Sequence, residues 1–212
     1  MLQKISELLI ELLDKTGILG VFFATFIESF FAPIPSEIVL LTAGFYASSS
    51  GGISTLLLLC IVASFGNFFG TLPFYMISRF GSEKYLPAFL KKFGPYLLLS
   101  EKDLKKTEKF FEKRGSITVF VARLIPGIRS LIAFPAGLAK MHFWKYTLFT
   151  LSGSFMWNLL LSSIGYWGYE NKETFFQILE PISNIILGLL VFVALAYIIR
   201  VIYNIKKLRA VR

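Results

Sequence analysis

The sequence predicts an all-α polytopic membrane protein: two oppositely oriented re-entrant helical hairpins packed among about three full transmembrane helices, with amphipathic helices on the surface. Three observations carry that prediction. The 212 residues are 55% hydrophobic and 17% aromatic, with 23 Phe gathered mostly into apolar runs, where a soluble fold would interleave polar residues to cover its surface. Three runs, 53–80, 144–168 and 178–200, supply the roughly 20 apolar residues that a bilayer crossing needs. Two more, 17–47 and 116–139, are apolar at both ends but broken in the middle by prolines set among charges.

The N-terminal "MLQKISELLIELLDK" carries apolar residues at helical spacing and acids where a signal peptide would be basic, so it reads as an interfacial amphipathic helix. The first broken segment follows and contains "FIESFFAPIPSE", with Glu28, Pro33, Pro35 and Glu37. Proline removes a backbone donor and pushes the preceding residue out of the α region. In hydrocarbon the freed backbone groups need partners, so such a segment must be buried in protein or line a cavity. It is therefore read as a hairpin that enters and leaves on one side. The run at 53–80 holds the lone Cys60, expected to pack as a small hydrophobe, and "GNFFG", where Gly66 and Gly70 form a small face for helix packing. Asn67 in this motif and Asn158 in "MWNLLL" are expected to serve packing first and to support the site second.

Residues 81–115 are predicted to be a cytoplasmic amphipathic region. The second broken segment, "SITVFVARLIPGIRSLIAFPAGLA", contains Arg123, Pro126, Gly127 and Arg129, and is read as the second re-entrant hairpin. His142 and the tryptophans Trp144, Trp157 and Trp167 read as interfacial or packing residues. The tail 201–212 is basic. From Arg200 to Arg212 there are five Lys/Arg and no acid, and from Arg79 to Arg114 ten Lys/Arg against five Asp/Glu. The positive-inside rule places both stretches in the cytoplasm, so the two hairpins open from opposite faces, the layout of an inverted repeat. This clustering also assigns the net charge of +9 to membrane topology rather than to nucleic acid. The chain is read as one integral membrane domain, 1–212. Within it, charge, breaker, charge and Ala-Gly recur: Glu28, Pro33, Pro35, Glu37 and Ala43-Gly44, then Arg123, Pro126, Gly127, Arg129 and Ala136-Gly137.

Acidic and basic hairpins imply a division of labour. A charge at a membrane helix centre costs about 2.5–3.5 kcal/mol, and intramembrane ionisable residues mark substrate or ion paths. Arg123 and Arg129 present planar forks suited to phosphate, and a helix N-terminus after Pro126-Gly127 would add N–H donors. Glu28 or Glu37, in a low-dielectric site, is suited to carry a proton or to pair with an ion such as Na+. The bland alternative is that these four charges simply brace the hairpins. No cysteine-histidine cluster suggests a metal, and no cofactor is expected.

"FIESFFAPIPSEIVLLTAGF", "GNFFGTLPFYMISRFG" and "FFEKRGSITVFVARLIPGIRSLIAFPAGLAKM" with "SGSFMWN" resemble the DedA family of bacterial membrane proteins, whose shared region is also called the SNARE-associated or VTT domain. The resemblance covers about residues 15–170. It implies facing re-entrant hairpins and movement of a lipid between leaflets of the bacterial cytoplasmic membrane, with undecaprenyl phosphate favoured over phosphatidylethanolamine because a phosphomonoester carries more charge. It implies coupling to proton-motive force, an acidic pair at Glu28 and Glu37, and an arginine pair at Arg123 and Arg129. Many members have Pro-Gly-Asp where this chain has Pro35-Ser36-Glu37, one methylene longer. The expected partners are membrane lipids through their phosphate head groups, protons or Na+, and no nucleic acid; homo-oligomerisation stays open. A phospholipid scramblase, a non-catalytic scaffold and, last, a lipid phosphatase are the alternatives to this non-enzymatic reading.

Overall fold

The computed structural model describes residues 15–30, 36–81, 111, 115–126 and 128–169. The predicted N-terminal amphipathic helix, the third span at 178–200, the basic tail and nearly all of 81–115 lie outside these residues, as do Pro33, Pro35 and Gly127. All regular structure among the described residues is helical: α1 Ile18–Phe30, α2 Ser36–Ser50, α3 Gly52–Gly81, α4 Ile117–Arg123, α5 Ala133–Leu138 and α6 Phe143–Gly168.

Two helices, α3 with 30 residues and α6 with 26, are long and apolar enough to cross a bilayer, and both coincide with predicted spans. Their burial pattern says what solvent they face. The inward stripe of α6 is small or polar, with Tyr146, Thr150, Gly153, Ser154, Asn158, Ser162 and Gly165 buried. Its outward stripe is Trp144, Leu148, Met156, Leu160, Ile164 and Trp167, all exposed. On α3, Ser64, Asn67, Thr71, Tyr75 and Ser78 point inward while Ile53, Leu57, Ile61, Phe65, Ile77 and Phe80 point out. A soluble protein buries its apolar stripe; the reverse arrangement places these helices in lipid.

Side-chain contacts fix the helix directions. Phe22 meets Phe69 and Phe30 meets Phe74, at centroid separations of 6.2 and 5.5 Å, so α1 runs with α3. Asn67 bonds Asn158 while Thr71 approaches Tyr146, so α6 runs against α3. Ser162 bonds the Leu40 carbonyl and Phe45 meets Tyr169, so α2 runs with α6. It follows that α1 and α2 run in opposite senses. At 13 and 15 residues, neither reaches across a hydrocarbon core about 30 Å thick at 1.5 Å per residue. Between α2 and α3 the chain reverses at Gly51 and Gly52, the latter at φ +67°, a conformation that glycine adopts without penalty.

Close contacts repeat through the two halves. A Cβ on Gly66 of α3 would collide with Thr25 and the Phe22 carbonyl of α1; one on Gly153 of α6 would lie 2.7 Å from Arg123 Cβ and 3.0 Å from the Phe120 carbonyl of α4. Gly44 of α2 is pressed against Ser162, Gly165 and Tyr166 of α6, and Gly137 of α5 against Tyr75, Ser78 and Arg79 of α3. The partners Gly66 and Gly153, Tyr75 and Ser162, Ser78 and Gly165, and Arg79 and Tyr166 share one constant separation along the chain. The Ala43-Gly44 and Ala136-Gly137 correspondence read from sequence therefore has a structural counterpart. The pairing of Glu28 with Arg123 does not: the residues facing Gly66 and Gly153 place Thr25, not Glu28, opposite Arg123. The sequence alignment counted from charges, whereas the register is set where small residues let backbones touch.

The turn from α5 to α6 carries one backbone outlier. Lys140 has φ +49°, while its N–H bonds the Gly137 carbonyl and the Met141 N–H bonds the Ala136 carbonyl. These two bonds close a Schellman motif, whose left-handed residue is usually glycine. A side chain there costs about 1–2 kcal/mol.

Candidate functional site

α1, the α4–α5 turn and the inward stripes of α3 and α6 converge on a polar interior. Glu28, near the end of α1, is 3% exposed; Arg129, in the turn between α4 and α5, is 8% exposed. They form a direct ion pair through Glu28 Oε1 and Arg129 Nη2. Thus one acid of the first broken segment and one base of the second meet across the fold.

Arg123 takes a different place. It ends α4, because Pro126 disfavours helical geometry at Ile125, and it is 2% exposed. Its stem lies against Gly153, where any larger residue would displace it. Its Nη2 donates to Thr71 Oγ1 at 2.6 Å. The Thr71 hydroxyl gives its own proton to the Asn67 carbonyl at 2.9 Å, which leaves its two lone pairs for Arg123 and for the Tyr146 hydroxyl at 3.2 Å. Tyr146 in turn stacks on Tyr75, with centroids 4.0 Å apart and ring planes 9° from parallel. Tyr75 donates to the Met141 carbonyl, as does Arg79. Among the described residues no carboxylate lies within ion-pair distance of Arg123, and its buried Nε meets no acceptor. A guanidinium is therefore held by neutral hydroxyls with donor capacity left over.

A second polar chain ties α1, α3 and α6 together. Ser29 Oγ donates to Asn67 Oδ1 at 2.9 Å, Asn67 Nδ2 to Asn158 Oδ1 at 3.2 Å, Asn158 Nδ2 to Ser64 Oγ at 3.1 Å, and Ser64 to the Cys60 carbonyl at 2.6 Å. Asn67 and Asn158 thus join the long helices side chain to side chain. Each amide in this chain has a partner, which suits polar groups in a low-dielectric interior.

The remaining predicted residues are less central. Glu37 stands in the first turn of α2 and is half-buried. Pro126 lies exposed in the turn after α4. The expected helix N-terminus after Pro126-Gly127 needs correction: the N–H groups of Ile128 and Arg129 both bond the Ile125 carbonyl, so they are already occupied, and α5 begins only at Ala133. Sequence reading missed Thr71, Tyr75 and Tyr146. A signal was present: Ser64, Asn67, Thr71, Tyr75 and Ser78 recur at three- and four-residue spacing along an apolar run, a polar stripe on one helix face.

Comparison with known proteins identifies the family. The family model for the VTT domain matches residues 34–167. The chain belongs to the VTT domain, or DedA, family. It is 38% identical over 199 residues to an "alkaline phosphatase-like protein" of Lactococcus lactis subsp. cremoris, covering 89% of this chain and 92% of the relative. It is 30% identical over 204 residues to undecaprenyl phosphate transporter A of Staphylococcus aureus, covering 96% and 100%, and 35% identical over 161 residues to undecaprenyl phosphate transporter A of Bacillus subtilis, covering 76% of each. No solved structure matches the chain at a significant level. As a VTT-domain member it is a membrane protein, which agrees with the lipid-facing apolar stripes of α3 and α6.

Proposed function

We propose that this VTT-domain protein moves a phosphate-bearing lipid, undecaprenyl phosphate, between the leaflets of the bacterial cytoplasmic membrane, driven by a proton or ion gradient. The observation that carries this reading is Arg123: a cation nine-tenths buried in a membrane interior, bonded to a neutral hydroxyl, with an Nε donor that no described residue accepts. An unneutralised buried charge is strongly unfavourable, and a planar guanidinium is matched by a phosphate. The names of the two transporter relatives support the same ligand.

In this mechanism α1 with α2, and α4 with α5, are re-entrant hairpins that open from opposite faces, with the C-terminus in the cytoplasm. Arg123 engages the phosphate first. Arg129, paired with Glu28 at rest, adds its fork when Glu28 takes up a proton, because neutralising the carboxyl releases the guanidinium. We assign Gly127, the residue after Pro126, to the same phosphate site on the sequence pattern alone. Glu37, at the start of α2, holds the second acidic position of the coupling path, and Asn67 and Asn158 keep α3 and α6 in register while the lipid tails stay in the bilayer.

The test is transport of undecaprenyl phosphate and, separately, of phosphatidylethanolamine in proteoliposomes, with and without a pH gradient. Arg123→Ala and Arg129→Ala should each abolish movement of the phosphomonoester while the proteins still insert and elute as folded species; wild-type transport by both variants would sink the reading. Faster movement of phosphatidylethanolamine would change the substrate. A second reading, lipid phosphate hydrolysis, is favoured by the alkaline phosphatase-like name of a relative. Release of inorganic phosphate from the reconstituted lipid would replace transport with that chemistry.

A further inference from the structure

We infer that Thr150 of α6 is a further ligand for the phosphate, its hydroxyl donating to an oxygen that Arg123 Nε also holds. The inference rests on the transport reading and extends its site across two elements: α4 supplies the cation and α6 a neutral donor. Thr150 is fully buried, and neither its Oγ1 nor Arg123 Nε meets a hydrogen-bond partner among the described residues.

That hydroxyl departs from the habit of its neighbours. A buried serine or threonine within a helix satisfies itself by donating to the carbonyl three or four residues back, and Thr25, Thr42, Ser64, Thr71 and Ser78 all do so. Thr150 makes no such bond, so its proton stays available. A buried polar group in this condition is unfavourable, and a ligand that accepts from it removes the cost.

Placement joins it to Arg123. Tyr146, Thr150 and Gly153 fall on one buried stripe of α6, four and then three residues apart. The Arg123 side chain runs along that stripe. Its Cβ and Cγ lie over Gly153, and its Nη2 ends on the Thr71 hydroxyl, which stands 3.2 Å from that of Tyr146. Nε, between these two ends of the side chain, therefore passes the Thr150 position. A cationic N–H and a hydroxyl on one path, neither used by the protein, suit an anionic oxygen that accepts twice, and a phosphate oxygen has the lone pairs for both. Both atoms are closed to solvent as the helices stand, so the phosphate reaches them when the Arg123 stem lifts from Gly153.

The test titrates the full-length protein in detergent micelles, by calorimetry, with farnesyl phosphate, a short prenyl phosphomonoester, and separately with inorganic phosphate. Thr150→Val keeps the branched shape without the hydroxyl and should weaken binding about tenfold, the scale of one hydrogen bond to a charged group; Thr150→Ser should bind as wild type does. Without ligand, Thr150→Val should melt no lower than wild type, because the lost hydroxyl had no partner. If Thr150→Val does not fold, Thr150→Ala takes its place. A tenfold loss in either titration supports the site, and the arm that shows it identifies the source of the phosphate as lipid or free anion. Undiminished binding by Thr150→Val where Arg123→Ala has lost it would overturn the assignment of Thr150 and leave the transport reading standing. So would a ligand-free melting temperature lowered as far as that of Thr71→Val, the mark of a hydroxyl that serves the fold through a trapped water. Binding of neither ligand by the wild type would overturn both.

Discussion

Removing Glu28 and Arg129 one at a time and then together separates a brace from a working pair. Both residues are more than nine-tenths buried and joined directly. Glu28→Gln leaves Arg129 charged in the interior, and Arg129→Gln does the same to Glu28. Removing one member of a buried pair costs about 3–5 kcal/mol. For a chain of this size each kcal/mol lowers the melting temperature by roughly 2–4 °C, so each single variant should melt about 10 °C below wild type. The double variant Glu28→Gln/Arg129→Gln keeps the side-chain shapes and removes both charges. Because a buried pair gains little over neutral replacements, it should recover to within about 4 °C of wild type. Thermal melting in one detergent, followed by tryptophan fluorescence, reads the cycle, and transport in proteoliposomes is measured on the same four proteins. The proposed function expects the double variant to be stable and inactive. Additive losses in melting temperature would refute the coupling of the pair, and wild-type transport by the stable double variant would show that the pair only braces the fold.

Other outcomes follow from the same geometry. Thr71→Val removes the hydroxyl that accepts from Arg123 and should destabilise by about 2 kcal/mol, the scale of a hydrogen bond to a charge, with loss of transport; a Thr71→Ser variant should restore both in melting and transport assays. Gly153→Leu should displace Arg123 and abolish transport more completely than it lowers the melting temperature, since the side chain would meet Arg123 Cβ at its first carbon. Asn158→Leu breaks two interhelical bonds at once and leaves Asn67 Nδ2 without its acceptor; a melting loss of about 2–3 kcal/mol is expected, and an unchanged melting temperature would contradict the network.

Much of this fold was legible because lipid forces simple patterns. The spans at 53–80 and 144–168 appear as α3 and α6 within a residue or so, since length and apolarity alone define them. The two broken segments were legible through their prolines, and the convergence of the acidic and basic segments is visible in the Glu28–Arg129 pair. What sequence could not assign was partnership. Four charges read as two equivalent pairs, yet Arg123 bonds Thr71, and Glu37 stands at the head of α2. Helix register, governed by Gly66, Gly153, Gly44 and Gly137, decides which side chains meet, and a single sequence marks those glycines only as small. The N–H donors expected after Pro126 were lost for a related reason: the turn closes on the Ile125 carbonyl, a local bond that residue types do not announce.

The exchange of short helices between halves carries a consequence for how such a chain is built. α2 follows α1 in sequence but is clasped by α6, and α5 is clasped by α3. Each half therefore hands one of its helices to the other, like two people gripping each other's forearms. A protein made of one half alone would present an uncovered groove at Gly44 or Gly137, and the natural cover is a second copy inserted upside down. Co-expressed as two separate polypeptides cut between α3 and α4, the halves should still find each other in the membrane. A single half, expressed alone, should insert in both orientations and survive only as an antiparallel dimer.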